Sequence, residues 1–253
     1  YCKDARQKIV SIVNVAQSTI ASESDMILKT PAGVEVGVAS TKALTAQVSL
    51  LYLLAVEIAF RNGSISGEKY HAMVAEFAKA GRVLEKALMP EPVEAIEKIA
   101  KVFAREADYL IYTGRDILFP MVLEGALKIE EVSYIPTLGV ASGELKHGPI
   151  ALIGDRMFVI ALNNSRLLFD KNASSIEEIA ARNGRVVLIG DMESYERMRD
   201  KVYAFIPTAA TDNKFEVLLS QIIPIQLLAY FVSVEKGLDV DKPRNLAKSV
   251  TVE

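Results

Sequence analysis

The stretches Gln47-Val-Ser-Leu-Leu-Tyr-Leu-Leu-Ala55 and Gln221-Ile-Ile-Pro-Ile-Gln-Leu-Leu-Ala229 share their first glutamine, their Leu-Leu-Ala and a closing glycine, Gly63 or Gly237. Each stretch follows a β-rich run, a polar segment and a second short apolar run that ends near a proline. A set of elements that recurs in the same order predicts an internal repeat. The alternative is that two apolar helices match by chance.

The β-rich runs indicate how each unit is built. They are rich in Val, Ile and Leu and do not alternate cleanly with polar residues, which is typical of parallel strands covered by helices on both faces. The runs are Lys8 to Asn14, Met26 to Pro31, Arg185 to Gly190 and Val202 to Pro207. The predicted fold class is therefore α/β, with two doubly wound parallel-sheet domains.

The second unit carries elements that the first lacks. They are a strand at Tyr109 to Thr113, a helix from about Leu118 to Tyr134 and a strand at Met157 to Ala161. If the duplication is real, the first domain is truncated at its N-terminus in this sequence. We expect a first-domain remnant with a linker helix over 1–92, a second domain over 93–238 and a tail over 239–253. The prolines in Met89-Pro-Glu-Pro92 predict the boundary, since paired prolines end a helix and favour an extended link.

The composition argues against several classes of protein. The 253 residues are 51% apolar, with a formal charge of −3 and no basic run, so neither nucleic acid nor a membrane is an expected partner. One cysteine, Cys2, and two histidines are too few for a disulfide framework or a zinc cluster, and no dinucleotide or ATP motif is present. We expect no metal, no cofactor and a cytoplasmic location. The most apolar stretch, Leu218 to Val234, is shorter than the about 20 residues of a membrane span and predicts a buried core helix.

One helix carries a stripe of ionisable residues. Glu124, Lys128 and Glu131 share one narrow face, and apolar residues border that face. A carboxylate and an amine between apolar neighbours are candidates for the shifted pKa values that proton transfer near neutral pH requires. The alternative is a solvated face with an ordinary Glu124–Lys128 ion pair.

A second candidate lies in the loop Ser142-Gly-Glu-Leu-Lys-His-Gly-Pro149. Small residues begin this segment and a helix breaker ends it, so we expect it beside the strand ends. Ligands gather at the carboxyl ends of strands in open α/β sheets, where His147 could act as an acid or a base. An exposed structural histidine is the alternative.

The first domain offers a helix start that follows glycines, in the segment that contains Val38 and Glu35, and Glu35 is a candidate for binding the substrate. We expect Ser40 or Thr41 to cap this helix, whose free backbone amides could also bind an anion. An ordinary cap fits the pattern equally well. In the second domain, Thr113 precedes a strand-to-helix turn and is a weak candidate for binding phosphate.

Four segments together closely resemble the isomerase half of the glucosamine-6-phosphate synthase family. They are Leu123 to Tyr134, Ser142 to Leu152, Val38 to Ala43 and Asp239 to Glu253. The likeness covers nearly the whole chain, and the terminal segment is its most specific part. It implies two sugar isomerase (SIS) domains acting on an acyclic sugar phosphate.

The resemblance also implies roles for single residues. Glu131 matches the base that moves a proton from C1 to C2, and Lys128 matches its neighbour at the sugar hydroxyls. His147 matches a ring-opening histidine that reaches the site of the other subunit, which implies a homodimer. Lys248 matches a tail lysine that engages the substrate carbonyl. Two further matches line the sugar: Val38 and Ala247.

The expected reaction converts fructose 6-phosphate and ammonia to glucosamine 6-phosphate. Nothing in the sequence matches the family's glutaminase domain, so the nitrogen is expected from a glutaminase partner or from free ammonia, and Cys2 is not the glutaminase nucleophile. The family's phosphate cradle falls in the half of the first domain that the repeat finds missing. The alternatives are an SIS-type deaminase or deglycase and a non-catalytic module that senses a sugar phosphate.

For the tail, spacing and resemblance give different predictions. A polar terminus is typically disordered, because ordering each residue costs roughly 1 to 2 kcal/mol. The resemblance instead predicts that Asp239 to Glu253 folds over the ligand cleft, with Lys248 pointing into it. We expect Arg244 to pair with a carboxylate and three apolar residues to anchor the tail: Leu246, Val250 and Val252.

Overall fold

The computed structural model describes residues 3–248. Cys2 and two predicted tail anchors, Val250 and Val252, lie outside the described residues. The chain divides into two compact units, Tyr1–Lys79 and Ala80–Glu253, so the division comes earlier than the expected boundary at residue 92. The prediction of an extended link at the prolines is wrong, because Pro90 begins a helix there. A proline in the first turn loses no helical hydrogen bond, and its fixed φ suits a helix.

Over residues 3–79, the first unit holds two parallel strands and three helices. The strands β1 (Val10–Val13) and β2 (Met26–Lys29) flank the short helix α1 (Thr19–Ser22) and pair in register from Val10 with Met26. The long helix α2 (Lys42–Arg61) and then α3 (Gly67–Lys79) follow. Ser18 caps α1 through its side chain, which accepts from the amide of Ala21.

The second unit is a parallel five-stranded sheet with helices between its strands. Its strands are β3 (Leu110–Gly114), β4 (Thr137–Ala141), β5 (Phe158–Leu162), β6 (Arg185–Gly190) and β7 (Ala204–Pro207), in the spatial order β4-β3-β5-β6-β7. Its helices are α4 (Gly81–Ala87), α5 (Pro90–Glu106), α6 (Phe119–Ser133), α7 (Phe169–Ala180), α8 (Met192–Met198) and α9 (Lys214–Glu235). Short 3-10 turns cover Asp116–Leu118, Leu145–His147, Pro149–Leu152 and Arg199–Lys201. All pairs are parallel, which confirms the predicted α/β class.

The core of the second unit lies on both faces of its central strands. Every residue of β3 and β5 is buried, as the unbroken apolar runs predicted. Helices α5 and α6 pack against α9 on one face. On the other face, α7 contributes Ile176 and Ile179 to a cluster with Val159 and Leu188. This packing fixes the ends of the strands, and therefore the loops that follow them.

The same order of elements recurs in the two units. Strand, short helix, strand and long helix run as β1-α1-β2-α2 in the first and as β6-α8-β7-α9 in the second. Both long helices end on a glycine with positive φ, +77° at Gly63 and +68° at Gly237. The next amide then bonds back to a carbonyl five residues earlier, from Ser64 to Ala59 and from Leu238 to Ser233. The matching glycines of the two sequence stretches therefore end their helices in the same way.

Two helices of the described residues, α2 and α9, are long and apolar enough to cross a membrane by length and composition alone. Helix α9 is longer than its sequence predicted, but 61% of its apolar window is buried inside the protein, which confirms a core helix. For α2 the buried share is 11%. One or two such helices are weak evidence for a membrane protein, because core helices of other proteins pass the same test.

Candidate active site

Helix α6 carries the three ionisable residues of the predicted stripe. Its apolar side packs on β3 so closely that a Cβ atom at Gly125 would lie 2.7 Å from Cε1 of Tyr112. Pro120 lies in the first turn of α6, and the helix ends at Tyr134. The tight packing fixes the rotation of α6 and brings Lys128 into the protein, where only 4% of the residue is exposed.

Lys128 lies between two carboxylates. Its Nζ is 3.7 Å from Oε1 of Glu124 and donates a hydrogen bond to Oε2 of Glu131. The predicted stripe is therefore a connected group of three charges. The alternative of a solvated ion pair is wrong, since the side chain of Lys128 is buried and both carboxylates are largely shielded.

Burial sets the electrostatics of this group, named here the α6 triad (Glu124, Lys128 and Glu131). Burial raises the pKa of Glu124, the nearby Lys128 ammonium opposes that rise, and the charge of Glu131 adds to it. Two carboxylates close to one ammonium leave a net negative charge, which makes one carboxylate readier to accept a proton. Glu131 is the more exposed carboxylate, at 22% of its side chain, so it can reach a reacting atom.

His147 is the last residue of the 3-10 turn that follows β4. This turn lies at the carboxyl edge of the sheet, where the sequence predicted the loop. Its residue is exposed, and its amide donates to the carbonyl of Glu144 at 3.1 Å. Ser142 at the start of the same loop is buried, and its hydroxyl donates to Oδ1 of Asn172 at 2.9 Å. The buried end holds the loop, and the other end presents the imidazole to solvent.

Glu35 has a structural contact that its sequence did not predict. Its Oε1 accepts hydrogen bonds from the backbone amides of Thr41 and Ala43, both at 3.1 Å, at the start of α2. Thr41 takes the N-cap position, as the sequence predicted, but its side chain makes no capping hydrogen bond. The anion at this helix start is thus the chain's own carboxylate.

Val38 and Thr113 lie in different surroundings. Val38 is half-buried in the loop before α2 of the first unit. Thr113 is 2% exposed in β3, and its hydroxyl has no hydrogen-bond partner among the described residues. The side chains of Val122 and Leu162 fill the space around the neighbouring Gly114. In this conformation Thr113 is closed off from a ligand, and its role in binding stays a prediction.

The tail is described as far as Lys248, a range that includes one of the predicted anchors, Leu246. Leu246 is 45% exposed, so it is not packed into an apolar groove. Arg244 contacts an aromatic ring: its guanidinium lies 4.3 Å from the ring centroid of Tyr134. Its predicted pairing with a carboxylate does not occur within residues 3–248. Ala247 and Lys248 are exposed at the end of the described tail. Sequence reasoning missed the Tyr134 contact because the two residues are 110 positions apart.

The parallel sheet, the loops at its carboxyl edge and the α6 triad define a class of protein. The SIS domain model matches residues 1–57 and 105–233, and the chain belongs to the SIS domain family. The match falls in two segments, one in each unit. Among residues 3–248, no group of three or more His, Cys, Asp or Glu side chains is arranged to hold a metal ion.

Within this family, the chain is similar to one kind of enzyme over its full length. It is 47% identical to the glutamine–fructose-6-phosphate aminotransferase (isomerizing) of Mesorhizobium japonicum, over 100% of this chain and 41% of the relative. The chain thus spans about two fifths of the length of that curated relative. The resemblance to the isomerase part of this enzyme is confirmed.

Solved structures give the same likeness in three dimensions. The C-terminal domain of glucosamine-fructose-6-phosphate aminotransferase from Francisella tularensis has a TM-score of 0.89 and 35% identity, over 95% of this chain and 67% of that one. A glucosamine-6-phosphate deaminase from Thermotoga maritima has a TM-score of 0.73 and 24% identity, over 98% of this chain and 68% of that one. At that identity, the second likeness concerns the fold alone.

Proposed function

We propose that this chain is the isomerase part of an enzyme that converts fructose 6-phosphate and ammonia to glucosamine 6-phosphate. The observation that carries the proposal is the α6 triad, in which a buried lysine joins two partly shielded carboxylates. Such a group supplies a base and a cation at one place, as the movement of a proton between neighbouring carbons requires. The name of the aminotransferase that is 47% identical supports this substrate.

Glu131 is the base in this proposal. Ammonia condenses with the C2 carbonyl of the open-chain sugar and water leaves, which gives an imine. Glu131 takes a proton from C1, a C1=C2 double bond forms, and the imine nitrogen takes up a proton. The same carboxyl then returns its proton to C2 while the C1 hydroxyl loses its proton. The C1 carbon becomes an aldehyde and C2 keeps the amine. Lys128, held beside Glu131 by its hydrogen bond, orients the sugar hydroxyls.

His147 and Lys248 act at the two ends of the reaction. His147 opens the sugar ring, and Lys248 engages the carbonyl of the open form. Both residues are exposed in this chain, which suits groups that meet a ligand or a second subunit. We infer a homodimer in which His147 serves the site of the other subunit, with Val38 and Ala247 lining the sugar. Glu35 acts on the sugar only indirectly, by holding the start of α2.

The two-domain organisation is part of the proposal. Two segments that match the SIS domain model and the repeated order of elements support two SIS domains. A glutaminase partner or free ammonia supplies the nitrogen, and the cytoplasm is the expected location. The deaminase alternative has only a likeness in fold behind it, and a sensing module has no need of the α6 triad.

Replacing Glu131 by Gln in the full-length protein tests the base. The amide keeps the size of the side chain but cannot accept the C1 proton, so conversion of fructose 6-phosphate with ammonia should fall by about 10²- to 10⁴-fold. Binding of glucosamine 6-phosphate, measured by calorimetry, should change little.

The matched control is Glu130→Gln on the neighbouring position of α6. Glu130 is exposed, and its Oε1 accepts from the amide of Thr137 at 3.2 Å, a bond that the oxygen of a glutamine can keep. Conversion by this control should equal that of the parent. An E131Q protein with conversion within about threefold of the parent would exclude Glu131 as the base.

A further inference from the structure

Tyr134 has a backbone conformation that a tyrosine rarely adopts. It caps the C-terminus of α6 with φ 60° and ψ 20°, in the left-handed region. Glycine is the usual residue there, because any other side chain is strained in that conformation. The two long helices α2 and α9 do end with glycine in this conformation, at Gly63 and Gly237. A strained residue at the end of the triad helix points to a task for its side chain.

The side chain of Tyr134 holds the tail in two ways. The backbone amide of Arg244 donates a hydrogen bond to the Tyr134 hydroxyl at 2.7 Å. The guanidinium of the same arginine lies over the tyrosine ring, 4.3 Å from its centroid. Glycine at position 134 would relieve the strain but would remove both contacts. The hydroxyl and the ring therefore explain why a tyrosine stands here.

The tail reaches Tyr134 along an ordered path. It leaves α9 through Gly237, and Oδ1 of Asp239 accepts from the amides of Asp241 and Lys242, both at 3.0 Å. Pro243 is then buried, directly before Arg244. The contact with Tyr134 comes at the end of this path and fixes its direction.

We infer that Tyr134 is a positioning residue that fastens the C-terminal tail, and with it Lys248, to the end of the helix that carries the α6 triad. Tyr134 lies about one helical turn beyond Glu131, a rise of about 4.5 Å. Lys248 follows Arg244 by four residues, which span at most about 14 Å. The contact therefore limits how far Lys248 can move from the triad. The inference deepens the proposed function and rests on it for the role of Lys248.

Two variants of the full-length protein separate the effect of losing the Tyr134–Arg244 contact from any effect on the fold. Tyr134→Phe removes the hydroxyl, and Tyr134→Gly removes the whole side chain while relieving the strain. Hydrogen exchange of the Arg244 amide should speed up by about fivefold in the first variant and by more in the second. The melting temperature of the glycine variant should stay equal or rise.

Asn183→Gly is the matched control. Asn183 has φ 61° after α7 and is exposed, so glycine is introduced at another left-handed position away from the tail, with a smaller relief of strain because asparagine tolerates that region. This control should leave both tail exchange and conversion of fructose 6-phosphate unchanged. In Tyr134→Gly, kcat should fall by about tenfold with a smaller change in KM, since Lys248 acts on the bound open-chain sugar.

The outcomes distinguish the two proposals. Exchange of the Arg244 amide within about twofold of the parent in Tyr134→Gly would overturn the inference, whatever the activity. A looser tail with unchanged kcat would overturn the positioning of Lys248. If the parent does not convert fructose 6-phosphate at all, the proposed function fails, and the exchange rates still decide whether Tyr134 holds the tail.

Discussion

Two carboxylates stabilise the buried ammonium of Lys128. A lone ammonium that is almost fully buried would be strongly destabilising, because it loses its hydration. Glu124 lies one turn before Lys128 and Glu131 nearly one turn after it, and together they offset that loss. The carboxylates are themselves partly removed from water, and this burial raises the pKa of Glu124.

Replacing Glu124 by Gln tests this balance through the pH dependence of stability. Because the pKa of Glu124 is raised in the folded protein, the unfolded chain ionises first as the pH rises. The contribution of Glu124 to the free energy of unfolding is therefore largest at low pH and is lost as the pH rises through its folded pKa. Relative to the parent, E124Q should gain stability as the pH rises above about 4, the ordinary range of a glutamate.

Melting temperatures of both proteins across that pH range measure the gain. Glu94→Gln, at an exposed glutamate of α5, is the control for the loss of one carboxylate. A difference for E124Q that is constant or falls with rising pH would contradict a raised pKa.

At the scale of elements, the ends of α2 and α9 explain part of the sequence repeat. Gly63 and Gly237 both adopt positive φ, and a Cβ atom built on either would meet no atom within 4 Å. Their conservation between the two stretches therefore reflects backbone conformation and not crowding. Each closes its helix with the same hydrogen-bond pattern, which turns the chain away from the helix axis.

Replacing either glycine by alanine should lower the free energy of unfolding by about 1 kcal/mol. The added Cβ atom is strained at positive φ, although it meets no neighbouring atom. Urea denaturation, followed by hydrogen exchange at the amides of Ser64 and Leu238, measures the loss at each helix end. Gly81→Ala is the control, since Gly81 lies in α4 without positive φ and with open space around its Cβ position. A loss as large in the control would mean that the effect comes from something other than φ.

At the scale of the whole molecule, the two units differ in their cores. The second unit buries complete strands between two layers of helices. Between residues 3 and 79, the buried apolar residues of the described chain are Ala21, Ala43 and Val56, and the two strands there are partly exposed. A two-stranded sheet with so little buried apolar surface is marginal by itself.

We therefore expect a fragment of residues 80–253 to fold alone and a fragment of residues 1–79 not to. Circular dichroism should record a cooperative thermal transition for the first fragment, and its amide NMR signals should be well dispersed. For the second fragment we expect neither. A cooperative transition of the 1–79 fragment would contradict this difference in cores.

The sequence by itself determined the fold class, because the period of apolar residues is a local property. The predicted strands at Tyr109 to Thr113, Met157 to Ala161 and Arg185 to Gly190 lie within a few residues of their observed places, and so do the α6 helix and its stripe. No prediction was made for β4 or α7. The helix at Pro90 was missed because proline suits a first turn as well as a break. Resemblance to a family, rather than spacing, gave His147, Lys248, Val38 and Ala247 their expected roles.

Only the tertiary structure decided which charges are buried and which distant residues meet. Close packing of α6 on β3 buries Lys128, and no local pattern separates that outcome from a solvated face. Glu35 caps α2 from outside the helix, and Tyr134 meets Arg244 across most of the second unit. These contacts depend on where whole elements pack, and packing is set by the sum of many interactions between residues that are far apart in the chain.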